Sequence, residues 1–234
     1  ENNPQFIASI ARGLEILRCF SSTNQLLGNQ EIAHLTNLPK PTVARITSTL
    51  VSLGYLKQLP NTTKYLLDVG VLALGYSALS NISARNQAYP FMEEMSRYAS
   101  APVAMATRDR LNMIYLEVVH TDTPLTMRRS VGSTLPIHSS AMGRACLAAM
   151  DIKEREYLFD AIKKRNQDQW VNIKRNLERA IRDYQDYGYC LSLGDWTKDV
   201  NSVAVPLVHP KHGILTFNCG APSYLLNQEK LENE

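Results

Sequence analysis

Apolar residues at the start of the chain recur with helical period. Ile7, Ile10, Leu14 and Leu17 fall three and four positions apart and predict an opening amphipathic helix. Asn29–Thr36 predicts a short second helix, with Asn29 as its N-cap and Ile32 and Leu35 facing inward. Pro39 and Pro41 then interrupt the pattern because they lack N–H donors, although Pro41 suits the first turn of a following helix. That third helix, Thr42–Leu53, carries two faces. Val43, Ile46, Leu50 and Leu53 form a stripe for burial, whereas Thr42, Arg45, Thr49 and Ser52 form a small, hydrogen-bonding face with no acid. Such a face fits a DNA major groove, where Arg binds guanine bidentately and hydroxyls reach bases or phosphates. Gly54 supplies a left-handed stop, and Tyr55–Leu59 and Lys64–Asp68 read as strands around the turn Pro60–Thr63. This is the order of a winged helix-turn-helix. A neutral helical domain also shows amphipathic helices, but the tight turn, the acid-free face and the polar hairpin favour DNA.

Val69–Ser80 is apolar almost all the way round, with Gly70 and Gly75 permitting close approach. A helix of that kind needs cover on several sides, and a dimer contact is the natural destination. Beyond it the pattern becomes mixed. A helix through Phe91, Met92, Met95 and Tyr98 precedes strands at Val103–Thr107, Met113–Val119 and Leu125–Arg129. Helices follow at Ser140–Met150 and Lys153–Arg165, then one with Ile173, Leu177, Ile181 and Tyr184 on a single face. Strands return at Tyr189–Leu193, Ser202–His209 and Ile214–Cys219. Helices grouped around a largely antiparallel sheet make this an α+β sensor-type domain. The expected division is a DNA-binding domain over 1–68, a linker helix over 69–83 and a ligand-binding domain over 84–234.

Composition narrows the function classes only modestly. The 234 residues are 44% hydrophobic and 20% charged, enough apolar material for two cores. Net charge is +3, and the first 68 residues carry six basic against four acidic side chains, which permits a DNA partner without demanding one. Cys19, Cys146, Cys190 and Cys219 are too scattered for a zinc site or a secreted disulfide framework, so no metal or other cofactor is expected. No apolar run approaches the roughly 20 residues of a membrane span, and the opening residues lack a signal-peptide pattern. The expectation is a cytoplasmic protein with no membrane partner.

Three stretches resemble the IclR (isocitrate lyase regulator) family of bacterial transcription factors. They are Ser9–Leu17, Leu38–Arg45 running on to Leu53–Leu56, and the pair Leu135–Ala145 with Val203–Leu207, collinear over almost the whole chain. The resemblance implies a winged helix-turn-helix joined by a linker helix to a GAF-like effector-binding domain. It also implies a homodimer or tetramer on double-stranded, palindromic operators. By match, Lys40, Thr42, Arg45 and Thr49 would contact the groove or its backbone, and Asn61, Thr62, Thr63 and Lys64 would form the wing. Arg12 is similar to a family arginine, while an ion pair with Glu15 explains it equally well.

The effector side rests on His138–Gly143, just ahead of an apolar helical run. A helix start there exposes N–H groups and the positive end of the dipole, a ready anion site. The family places its ligand, commonly a small organic acid, beside this helix start, which points to Ser140, Ala141 and Met142. Ser139 or Ser140 serves equally as an N-cap. A second wall is expected from Ser192, Trp196 and Ser202. Relatives that bind small keto acids carry an acid and a cysteine where Ser192 and Ser202 align, a departure that favours a larger, aromatic acid; a one-residue slip would bring Asp195 in instead. Of Arg128 and Arg129, alternation turns one inward, although a surface ion pair is the simpler reading. Two rival functions stand beside the regulator: a sensor whose N-terminal domain binds protein, and, more distantly, a Ser hydrolase built on His138, Ser139, Ser140 and Cys146. Neither a nucleophile elbow nor a phosphate loop supports the second.

Overall fold

The computed structural model describes residues 5–21, 24–120 and 129–233. It separates into two compact units, residues 1–81 and 82–234. The first opens with α1 (Ala8–Arg18), followed by β1 (Leu27–Gly28), α2 (Asn29–Thr36), α3 (Lys40–Ser52), β2 (Leu56–Gln58), β3 (Lys64–Leu67) and α4 (Val69–Ser80). Its core joins Ile16, Ile32, Val43, Leu50, Leu56 and Tyr65. Pro41 sits in the first turn of α3, and Gly54, at φ 75°, lets the chain reverse into β2. Asn61 takes the left-handed conformation at the hairpin tip.

Several details differ from the sequence reading. Gly28, not Asn29, caps α2, and the Glu31 carboxylate accepts the Gly28 N–H at 2.6 Å. Asn29 instead accepts from the buried Thr47 hydroxyl at 3.0 Å, so Thr47 joins the inner face of α3. Leu53 caps the C-terminal end of α3, just past its last turn, and is 63% exposed. The two-residue β1 pairs with β3, making a three-stranded sheet of order β1-β3-β2 where a hairpin alone was expected. The α1 stripe is also not a core stripe: Ile7, Ile10 and Leu14 are exposed, and Ile16 is the buried residue. α4 has the expected bounds, but none of its side chains is buried within the chain.

The second unit runs α5 (Ala84–Ala99), β4 (Val103–Asp109), β5 (Asn112–Val119), β6 (Thr134–Pro136), α6 (Ala141–Ala148), α7 (Ile152–Arg165), α8 (Trp170–Tyr187), β7 (Cys190–Leu193), β8 (Val200–His209), β9 (Gly213–Pro222) and α9 (Gln228–Asn233). Six strands form one antiparallel sheet of order β6-β5-β4-β9-β8-β7. Against one face packs α6, backed by α7 and α8, with Met142, Leu147, Ile162 and Leu177 among the fully enclosed side chains. On the opposite face α5 lies over β4 and β5, where Arg85 meets Glu117 at 2.6 Å. Only Met92 of the predicted α5 stripe is buried; Phe91, Met95 and Tyr98 are exposed. The strand expected at Leu125–Arg129 lies outside the described residues except for Arg129, which is irregular.

Candidate functional site

The N-terminal unit presents one polar surface built from α3 and the hairpin. Lys40, Arg45 and Thr49 are exposed and Thr42 is half-buried. Thr49 donates back to the Arg45 carbonyl at 3.0 Å and Ser52 to that of Ser48 at 3.1 Å, which leaves Arg45 as the long donor on the face. The four wing residues Asn61, Thr62, Thr63 and Lys64 are exposed. Thr62 accepts the Lys64 N–H at 3.2 Å and donates to Leu59 at 3.1 Å, holding the turn closed. The Lys64 ammonium meets Glu31 at 3.0 Å. Glu31 therefore ties wing to α2, and the Gly28 N–H and Lys64 hold its carboxyl below the usual range. Its place three residues after Gly28 is the capping-box spacing, a signal the sequence reading passed over.

The second unit encloses a cavity of about 310 Å³ between the sheet and the start of α6. Strand register explains the space. Val118, Ala104, Asn218 and Ala204 align in one row across β5, β4, β9 and β8, and Ser202 pairs with Gly220 in the next. These side chains are mostly small, so the sheet leaves room beneath α6. Above them, Ser140 caps α6: its hydroxyl donates to the Pro136 carbonyl at 2.7 Å and accepts the Gly143 N–H at 3.1 Å. The N–H groups of Ala141 and Met142, both at the cavity wall, have no hydrogen-bond acceptor among the described residues. They are orphan donors at the positive end of a helix.

The far wall is the β7–β8 loop. Trp196 packs beneath the Arg129 guanidinium, whose central carbon lies 4.4 Å from the ring centroid. Both line the cavity, and the buried Arg129 Nε has no hydrogen-bond partner among the described residues. Arg129 thus turns into the cavity and forms no ion pair among the described residues; Arg128 lies outside them. Tyr115 shares the wall, and burial pushes its hydroxyl up to about 12 against the opposing influence of Arg129, so it stays a neutral donor. Tyr115 and Asn218 are among the cavity residues the sequence did not point to, whereas Arg129 was weighed as an inward cation and set aside for a surface ion pair. The one signal for Asn218 is a polar side chain inside an apolar strand.

Of the expected effector residues, Ser140, Ala141, Met142, Trp196 and Ser202 come together on this cavity. Ser192 does not reach it. Its hydroxyl, buried behind α6, donates to the Ser139 carbonyl at 2.9 Å and braces the turn before the helix. The hydrolase arrangement is not formed either: the Ser140 proton goes to a backbone carbonyl, and His138 Nδ1 is buried without a partner among the described residues. Burial, then Arg144, lowers the His138 pKa, and burial pushes the Cys146 thiol up to about 12.

An acid-free helix presented by a winged helix-turn-helix, with a cationic, aromatic-walled cavity in a separate α+β unit, defines a ligand-responsive DNA-binding regulator. Comparison with known proteins agrees. The IclR helix-turn-helix domain matches residues 9–60, and the bacterial transcriptional regulator IclR C-terminal domain matches residues 76–233. The HTH-type transcriptional regulator TsaQ1/TsaQ2 of Comamonas testosteroni is 40% identical over 210 residues, 89% of this chain and 75% of that protein. A crystal structure of an IclR family transcriptional regulator from Brucella abortus superposes with a TM-score of 0.94 at 56% identity, covering 100% of this chain and 89% of that one. At 21% identity and a TM-score of 0.69, an IclR homolog from Microbacterium hydrocarbonoxydans complexed with 4-hydroxybenzoate shares the fold over 95% of this chain and 94% of its own. The chain belongs to the IclR family of transcriptional regulators: its N-terminal domain binds DNA through the helix-turn-helix, and its C-terminal domain binds an effector.

Proposed function

We propose that an aromatic carboxylate, seated in the 310 Å³ cavity, sets the affinity of this regulator for its operator. The observation that carries the reading is the Arg129 guanidinium, stacked on Trp196 with its buried Nε unpaired among the described residues, on the same cavity as the orphan N–H groups of α6. A planar acid matches both features: apolar walls for a ring, and donors for a carboxylate. The 4-hydroxybenzoate complex of the Microbacterium homolog supplies the first probe. A thermal-shift series tests the choice of ligand class. At about 100 times its dissociation constant an effector adds roughly 2.7 kcal/mol to the domain it occupies. Benzoates are expected to raise the melting temperature, and glyoxylate and pyruvate to leave it unchanged. A shift with the keto acids alone would overturn the aromatic assignment.

On the DNA side, Arg45 reads a base, Lys40, Thr42 and Thr49 hold the groove and its backbone, and Asn61, Thr62, Thr63 and Lys64 contact phosphates beside it. Arg45→Ala is expected to cost about 1–3 kcal/mol on the operator and much less on random DNA, measured by fluorescence anisotropy at fixed salt. Equal losses on both sequences would remove Arg45 from base reading.

Two copies present two such helices to palindromic half-sites about one helical turn, or a multiple, apart. The exposed Ile7 at the N-cap of α1, Ile10 and Leu14 within it, and Leu72, Leu74 and Tyr76 of α4 are the surface that a homodimer would cover. Leu72→Asp is expected to yield monomers in analytical ultracentrifugation and to weaken operator binding. An unchanged sedimentation coefficient would place the contact elsewhere. Effector binding alters the separation of the two reading helices, and by linkage operator DNA alters effector affinity by the same factor.

A further inference from the structure

The effector cavity owes its aromatic wall to the loop between β7 and β8, whose Trp196 packs partly against the core. Residues 194–199 connect β7 to β8 and carry Trp196, with Gly194 and Asp199 both in the left-handed region. The loop closes on itself through Gly194 N–H to the Val200 carbonyl at 3.0 Å and Val200 N–H to that of Thr197 at 3.1 Å. These bonds set its curvature but not its distance from α6. That distance is held by Arg144, the fourth residue of α6, which is almost wholly buried and does not line the cavity. One of its terminal nitrogens donates to the Leu191 carbonyl at 2.7 Å and to the Asp195 carboxylate at 2.9 Å. Asp195 in turn accepts the Leu193 N–H at 3.3 Å, so a single carboxylate joins helix, strand end and loop. Asp195 is the residue before Trp196.

We infer that Arg144 and Asp195 are positioning residues for effector recognition, an ion pair from the ligand-bearing helix to the loop that fixes Trp196 beneath Arg129. The pair lies behind the cavity, and neither member lines it. The geometry makes α6 the common reference for both walls: its first turn offers Ala141 and Met142, and one turn later Arg144 sets where the indole stands. With the pair broken, Trp196 keeps its neighbours in sequence but loses its fixed distance from the helix. The Arg129 guanidinium then loses the ring it stacks on.

The inference rests on the cavity being the effector site, and the test keeps the two apart. The chain has two tryptophans, Trp170 and Trp196, so the full-length protein labelled with 5-fluorotryptophan gives two fluorine resonances, assigned with Trp196→Phe. In Asp195→Ala the Trp196 resonance is expected to shift or broaden while that of Trp170 stays in place. Asp195→Glu, which retains the carboxylate, should restore much of the wild-type position. With 4-hydroxybenzoate as probe, Asp195→Ala should bind about tenfold more weakly, and its operator affinity without the acid should be unchanged. If Asp195→Ala loses the Trp170 resonance position as well, Asp195→Asn, which retains an acceptor oxygen but not the charge, is read in the same way. A folded variant lacking the carboxylate whose Trp196 resonance matches wild type overturns the inference. A wild-type chain that ignores all aromatic acids overturns the effector reading, and the fluorine spectra still decide the positioning role.

Discussion

Gly143→Ala is expected to cost the C-terminal domain upwards of about 3 kcal/mol, the upper end of what overpacking usually costs and beyond the effect of most single substitutions. The reason lies in how tightly the chain winds into α6. Ser140 bonds the Pro136 carbonyl through both its N–H, at 3.3 Å, and its hydroxyl, at 2.7 Å, drawing the segment Pro136–Ile137 under the first turn of the helix. A Cβ on Gly143 would fall within 3.0 Å of the carbonyl oxygen, Cα and carbonyl carbon of Ile137. All three are backbone or backbone-attached atoms of a fully buried residue, so no side chain can swing aside to relieve the contact. The helix must move away from the sheet, or the Ser140 cap must open, which forfeits about 1 kcal/mol in addition. Since a domain of this size has only about 5–15 kcal/mol in hand, a melting temperature lower by roughly 6–12 °C is the smallest expected outcome. Calorimetry on the full chain checks it. A Tm within about 2 °C of wild type would mean that the Pro136–Gly143 turn yields far more easily than its hydrogen bonds suggest.

The features that could be read from the sequence are those fixed by local chemistry. Pro41 and Gly54 bracket α3 because one lacks an N–H and the other tolerates φ 75°, conditions that neighbouring residues barely influence. Likewise the apolar run Val69–Ser80 is a helix with the bounds expected of it. Periodicity, in contrast, tells which residues share a face and not what covers that face. Ile7, Ile10 and Leu14 form one true stripe on α1, as Phe91, Met95 and Tyr98 do on α5, and both stripes are exposed on the single chain. The cavity was half legible. Ser140–Met142 follow from a capping residue ahead of an apolar helix. Its floor depends on register between strands more than a hundred residues apart, and on the bulge at Met105 and Ala106 that puts Tyr115 and Ala104 on one face. No local pattern carries that information, nor does one reveal that Ser202 lines the cavity while its cross-strand partner Ser192 is taken up by the Ser139 carbonyl.

Arg129→Met is expected to weaken 4-hydroxybenzoate binding about 100-fold, which corresponds to roughly 2.7 kcal/mol and lies within the range for removing one partner of a desolvated charge pair. Methionine preserves the apolar stem against Trp196, so the change reads the guanidinium and not the filling of the wall. Arg129→Lys should fall between the two. A lysine keeps the charge but loses the planar fork that both stacks on the indole and meets a carboxylate with two donors. Nothing in the N-terminal unit changes, so operator affinity without the acid should be that of wild type, and the acid should have lost its power to alter it at concentrations that saturate the wild-type protein. Comparing the acid with its neutral amide, 4-hydroxybenzamide, isolates the charge. If the carboxylate faces Arg129, wild type and Arg129→Met should bind the amide within about threefold of each other, and the coupling between the two changes should recover most of the 2.7 kcal/mol. Were the acid and the amide to lose equal affinity in Arg129→Met, the guanidinium would be supporting the ring of Trp196 alone, and the carboxylate would belong with the N–H groups of Ala141 and Met142 at the start of α6.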